Sequence, residues 1–108
     1  NTVFKHAVTA MSEAANQALA QAELRPDQVD LLIPHQANTR IMEAARARTG
    51  IPADRLFSIV ERYGNMSAAT IPVALDEARE QGRIKDGDVI AMTAFGTGFT
   101  WAASVLRW

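Results

Sequence analysis

The sequence contains no cysteine, so disulfides, thiolate metal sites and a cysteine nucleophile are excluded within its 108 residues. Histidine is nearly as scarce. His6 and His35 stand far apart and not at ligand spacing, so no metal site is expected. No apolar run is long enough to cross a bilayer and no signal-peptide pattern occurs, which makes a soluble cytoplasmic protein the default expectation. Charge of one sign is also missing. Eleven basic against twelve acidic residues give a net −1, so the overall balance points to neither nucleic acid nor a membrane surface, and any basic docking patch must be local. Short-period repeats, linkers and low-complexity segments are absent too.

What is present suits a core. Apolar residues make up 48% of the chain, enough for one small domain or a piece of a larger one. The chain opens at Asn1 directly in helical sequence, and a fragment or excised domain is the expectation. Phe4, Val8, Met11, Ala15, Ala18, Leu19 and Ala22 recur at spacings of three and four and predict a helix over 2–24, ended by Pro26. Val29–Ile33 is nearly all apolar, as a strand covered on both faces should be. A second helix over 38–49 can be capped by Asn38 or Thr39 and stopped by Gly50. Leu56–Val60 reads as another strand. A third helix carries Pro72 near its front and runs to about Gln81. Val89–Phe95 and Thr100–Trp108 are strands around the tight Gly96-Thr97-Gly98 turn. The predicted order is α-β-α-β-α-β-β, an α/β layered domain with a mostly parallel sheet closed by a C-terminal antiparallel hairpin.

Three stretches can carry chemistry. In Pro34-His35-Gln36-Ala37-Asn38 a strand stops at a proline and a helix follows, which puts His35 at a strand's carboxyl end, where open α/β sheets hold ligands. There an imidazole can act as acid, base or oxyanion donor, or simply be satisfied by local backbone. Gly64-Asn65 reads as a turn; equally, a buried asparagine amide is a donor that does not titrate. Ser67, Ala68 and Ala69 are small enough to let backbone approach a ligand. Gly96-Thr97-Gly98 is a hairpin turn that can aim a backbone N–H into a cleft; with no helix after it, it is not a phosphate loop. Lys5, Arg40, Arg46 and Arg48 form either a solvated face or a docking patch for an acidic partner.

In this order, the strings IPHQAN, YGNMSAAT and AFGTGFTW are specific together. The chain resembles, over essentially its whole length, the C-terminal half of β-ketoacyl-[acyl carrier protein] synthase III, of the thiolase-like superfamily. The spacing of 30 from His35 to Asn65 agrees (65 − 35). The resemblance implies a thiolase-like half-domain over 1–108 and a Cys-His-Asn active site in which His35 and Asn65 are the histidine and asparagine. The cysteine would come from an N-terminal half absent here. It implies an oxyanion role for the backbone N–H of Thr97, where many relatives carry glycine or alanine. Asn1, Phe4, Ala37 and Asn38 match positions along the CoA arm, and Lys5, Arg40 and Arg48 match residues that meet the carrier protein. The implied partners are acyl-CoA, acyl carrier protein, the N-terminal half and a second copy in a homodimer. No cofactor is implied beyond CoA and phosphopantetheine thioester substrates.

The implied reaction is acyl transfer from acyl-CoA to the cysteine, then decarboxylative condensation with malonyl-carrier protein. The isolated chain, lacking a nucleophile, is expected to be inactive. Two other readings follow: a relative making polyketides, quinolones or olefin precursors or only transferring acyl groups, and a non-catalytic module that docks CoA or carrier protein. The resemblance further implies a strand ahead of the first helix, central in the sheet, whose absence would leave a gap.

Overall fold

The computed structural model describes residues 2–36, 38–64, 70–96 and 100–108. Helix α1 spans Thr2–Gln21 and buries Val8, Met11, Ala15 and Leu19 as a stripe, with Ala7, Ala10 and Ser12 beside it. It stops short of the predicted residue 24. Glu23 takes the left-handed conformation (φ 59°), and the N–H groups of Glu23 and Leu24 return to the carbonyls of Ala20 and Leu19 at 3.1 and 2.9 Å. That bonding pattern satisfies the last free carbonyls of a helix. It leaves Ala22 outside the helix and exposed.

Strand β1 is Leu31–Pro34, every residue buried. Strand β2, Val89–Gly96, runs parallel to it with Leu31 opposite Ile90 and Pro34 opposite Thr93. Strand β3, Thr100–Arg107, returns antiparallel along β2 from Gly96↔Thr100 to Val89↔Arg107, so the expected closing hairpin is present. The sheet order is β1-β2-β3. The gap expected at its centre is not there, because β1 bonds directly to β2. Among the described residues β1 and β3 are the two edges of the sheet.

Side chains alternate across this sheet as the pleat requires. Leu31, Ile33 and Ile90 face one side and pack with Phe57, Ile59, Ala74 and Ala78. Leu32, Val89 and Ala91 face the other and pack with Leu19, Val29 and Ile51. Helix α1 covers this second face and packs in turn against helix α2, Thr39–Thr49, while helix α4, Thr70–Glu80, lies on the first. Helices on both faces of the sheet make the expected α/β layering. Gly50, at φ 79°, ends α2 in the left-handed conformation that a glycine adopts without steric cost. Pro72 sits in the first turn of α4, where no intrahelical N–H bond is forfeited.

One predicted element is different. Leu56–Val60 is not a strand: it makes a single parallel bridge, Leu32↔Leu56, with the Phe57 N–H on the Leu32 carbonyl at 3.0 Å. Two residues further in that register, Pro34 would have to donate to the Phe57 carbonyl, and proline has no N–H. The ladder stops there, and Val60 opens a short helix, α3, Val60–Tyr63.

Ile90 is wholly buried in the α4-side core. We expect Ile90→Ala to cost about 2–5 kcal/mol of unfolding free energy in urea. Exposed Gln21→Ala should stay within about 0.5 kcal/mol. Equal effects at the two positions would contradict this core.

Candidate functional site

His35 is the first residue beyond β1. Its N–H donates to the Thr93 carbonyl at 2.7 Å, extending the β1–β2 ladder past Pro34. Thr93 is itself fixed: it is buried, and its hydroxyl donates to the Met11 carbonyl at 2.9 Å, tying β2 to α1. The His35 backbone is therefore anchored to the sheet centre while its half-buried side chain lies at the carboxyl end of two parallel strands. Burial lowers the His35 pKa below its ordinary value of 6.5, because the imidazolium loses more hydration than the imidazole. At neutral pH the ring is neutral, able to donate from one nitrogen and accept at the other.

Gln36 is 0% exposed, and its backbone N–H and both ends of its side-chain amide are paired. Its Nε2 donates to the carbonyls of Pro34 at 2.8 Å and Phe57 at 3.3 Å. Its Oε1 accepts from the Ile59 N–H at 2.7 Å. Its own N–H donates to Thr70 Oγ1 at 3.0 Å. Thr70 is buried at the start of α4. Sequence reasoning passed over both residues. The available signal was a long polar side chain beside the proline that ends a buried strand, since that proline leaves a carbonyl in need of a donor.

The remaining candidates fall into separate groups. Asn38 caps α2, its Oδ1 accepting from the Ile41 N–H at 2.9 Å, so its amide NH2 stays available and exposed. Arg40, in the first turn of α2, stacks on the Phe4 ring with its guanidinium carbon 5.3 Å from the ring centroid. Exposed Lys5 follows Phe4 on α1, so Phe4, Lys5 and Arg40 share one end of the α1–α2 layer. Arg48 lies in the last turn of α2, about 12 Å along the axis from Arg40, and is not in that group. Arg46 is occupied, paired with Glu43 and donating to the Ile51 carbonyl at 2.7 Å. Asn1, Ala37, Asn65 and Thr97 lie outside the described residues. Ahead of Asn65, α3 is tied to α4 by Tyr63, whose hydroxyl donates to Glu77 at 2.7 Å, and by Arg62, paired with Glu77 at 3.1 Å.

Chemically the site offers a neutral imidazole on a fixed backbone, beside the start of a helix whose orphan N–H groups favour negative charge. Among the described residues no cluster of three or more histidine or acidic side chains could hold a metal ion, and no helix is long and apolar enough to cross a membrane. A groove of about 240 Å³ lined by Ala22, Leu24, Val89, Val105, Leu106 and Arg107 lies at the start of β2, the end opposite His35.

A two-dimensional NMR titration should give His35 a midpoint below 6.5. The unfolded state then binds the proton more tightly. The stability is fully present above about pH 6.5, is lost as pH falls from there to the folded midpoint, and is level below it. A His35 midpoint at or above the ordinary value would contradict the burial described.

Residues 19–108 match the family model described as 3-oxoacyl-[acyl-carrier-protein] synthase III C terminal. The chain is 54% identical over 106 residues to the β-ketoacyl-[acyl-carrier-protein] synthase III of Staphylococcus saprophyticus, covering 98% of this chain and 34% of that protein. It superposes on the solved 3-oxoacyl-[acyl-carrier-protein] synthase III of Aquifex aeolicus with a TM-score of 0.97 at 47% identity, over 99% of this chain and 35% of that one. The corresponding synthase of Thermus thermophilus gives a TM-score of 0.94 at 50% identity, over 99% and 33%. The chain thus spans about a third of the length of the relatives it matches.

Proposed function

Because the chain belongs to the 3-oxoacyl-[acyl-carrier-protein] synthase III C-terminal family, we propose that it is the C-terminal domain of a condensing acyltransferase. The complete enzyme would join an acyl-CoA primer to malonyl-[acyl carrier protein] with loss of CO2, initiating fatty acid synthesis. The observation that carries this reading is His35: neutral by burial and anchored to Thr93 at the carboxyl end of β1 and β2, in a chain of this family.

In this reading an acyl group first sits as a thioester on a cysteine of the N-terminal half. The malonyl thioester then loses its carboxylate as CO2. The electron pair of the broken C–C bond moves onto the thioester carbonyl as an enolate. The enolate carbon attacks the acyl carbon, and the cysteine thiolate leaves. Negative charge builds on the malonyl thioester oxygen at the decarboxylation step. A donor prepositioned there stabilises the charge without reorganisation. Neutral His35 and the Asn65 amide are assigned that role, and the Thr97 N–H is assigned to the tetrahedral intermediate of acyl transfer. Ala37, Asn38 and Asn1 with Phe4 are assigned to the pantetheine arm. The free NH2 of Asn38 supports this, since its cap uses only the oxygen. Lys5 and Arg40, grouped through Phe4, are assigned to the acidic carrier protein, with Arg48 extending the patch from the far end of α2. A cytoplasmic homodimer is the assembly of the same reading.

A condensation assay with acyl-CoA and malonyl-carrier protein tests the core of it. The chain alone gives no product; the complete protein does. His35→Ala in the complete protein lowers the decarboxylation rate about 10²–10³-fold and leaves most of the acyl transfer to the cysteine. Condensation by the isolated chain, or full decarboxylation by His35→Ala, would sink the assignment.

Reversing the charge of the α1–α2 end is a second test. Lys5→Glu with Arg40→Glu should weaken carrier-protein binding at low salt by at least tenfold, mostly through the association rate. Binding that is unmoved by both changes and by salt rules out this patch.

A further inference from the structure

We propose that Gln36 is a positioning residue, its buried carboxamide standing in for a peptide group in the β1 ladder and so setting His35 in place. This rests on the reading of His35 as the donor to the decarboxylating thioester.

The ladder register makes the case. Leu32 is bridged to Leu56, and continuing two residues puts Pro34 opposite Ser58. A parallel pair in that register would make two bonds: Pro34 N–H to the Phe57 carbonyl, and Ile59 N–H to the Pro34 carbonyl. The first cannot form, since proline has no N–H. Neither bond is left open, because the Gln36 carboxamide makes both connections. Its Nε2 supplies the Phe57 carbonyl at 3.3 Å, and its Oε1 takes the Ile59 N–H at 2.7 Å. The displaced Pro34 carbonyl is returned to Nε2 at 2.8 Å. One donor group and one acceptor group thus replace the donor and acceptor of a peptide unit. Being wider than the bond it replaces, the inserted amide parts residues 57–59 from β1 at the end where His35 stands.

The consequence for His35 is direct. The carbonyl before it is held by Gln36, its own N–H by Thr93 at 2.7 Å, and the N–H after it by Thr70 at 3.0 Å. With the backbone fixed on three consecutive residues, only the two side-chain torsions of His35 remain to be set. Other side chains cannot substitute. Asparagine is one methylene short, methionine fills the volume without bonds, and glutamate turns an acceptor oxygen toward two carbonyls. A protonated glutamate recovers one of the lost donors.

The test uses the complete protein, measuring malonyl-carrier decarboxylation and acyl transfer to the cysteine separately. Gln36→Met is expected to lower the decarboxylation kcat about tenfold to a hundredfold, with KM within about twofold and acyl transfer unchanged. Gln36→Glu should show the same loss at about pH 8 and recover part of it toward about pH 6, where its carboxyl, raised by burial, takes up a proton. Amide exchange of peptides covering 57–60 should speed up in both variants. Wild-type kcat in Gln36→Met beside an inactive His35→Ala overturns the positioning role. So does an equal loss in both half-reactions, which marks mere destabilisation. Should Gln36→Met fail to fold, the Gln36→Glu pH profile decides, and a flat profile overturns the proposal. Full decarboxylation by His35→Ala instead overturns the functional reading on which this rests.

Discussion

A proline at the end of a buried strand leaves the neighbouring segment one hydrogen bond short, and here the deficit is met by a single side chain. Leaving a buried carbonyl unpaired costs about 1–3 kcal/mol, so the ladder beside Pro34 needs a donor from somewhere. Gln36 supplies it from 0% exposure. Satisfying one neighbour is not sufficient, because a buried amide must also satisfy itself. Its contacts with residues 34, 57 and 59, and its N–H bond to Thr70, leave no buried side-chain nitrogen or oxygen unpaired among the described residues. Strand β1, segment 57–59 and helix α4 meet at this one residue. The site exists where it does because they cannot meet as a continuous sheet.

The electrostatics follow from the same arrangement. His35 sits partly out of water with burial as the cause of its lowered pKa. Keeping the ring neutral costs no ion-pair partner. No charged side chain contributes to that shift, and Arg40 lies against Phe4 at 5.3 Å. The centre is thus a region of dipoles, formed by an imidazole, a carboxamide and the start of α2. The charges that would attract an acidic partner are at the layer's end. Such a division lets long-range attraction vary with salt while the dipoles near the reacting atoms stay constant.

Much of this was legible in the sequence. Periodicity placed α1, α2 and α4. The apolar runs placed β1 and β2, the glycine turn implied the hairpin, and of the two cap candidates, Asn38 and Thr39, it is Asn38 that caps α2, at 2.9 Å. His35 was legible because Pro34 marks a strand end. What escaped was non-local. Leu56–Val60 has every local property of a strand, and the reason it is not one lies 22 residues earlier in the chain, in the missing N–H of Pro34 (56 − 34). Glu23 gives no hint of its left-handed conformation, since the C-terminal return of α1, and not residue type, selects it. Gln36 carries little local signal of its role, because its worth appears only when the register across three elements is known. Of the candidate site, His35, Phe4, Lys5, Asn38, Arg40 and Arg48 can be placed; the other four lie outside the described residues.

Gln36 also touches both ends of one excursion: Ile59 before residues 60–69, and Thr70 after them. Neither of these two bonds uses a residue from between. Lengthening a closed loop is thermodynamically mild, about 0.6 kcal/mol for each doubling. The excursion is therefore a cassette in a socket. Residues of the excursion that bear no assigned role can change without renegotiating the frame that carries His35.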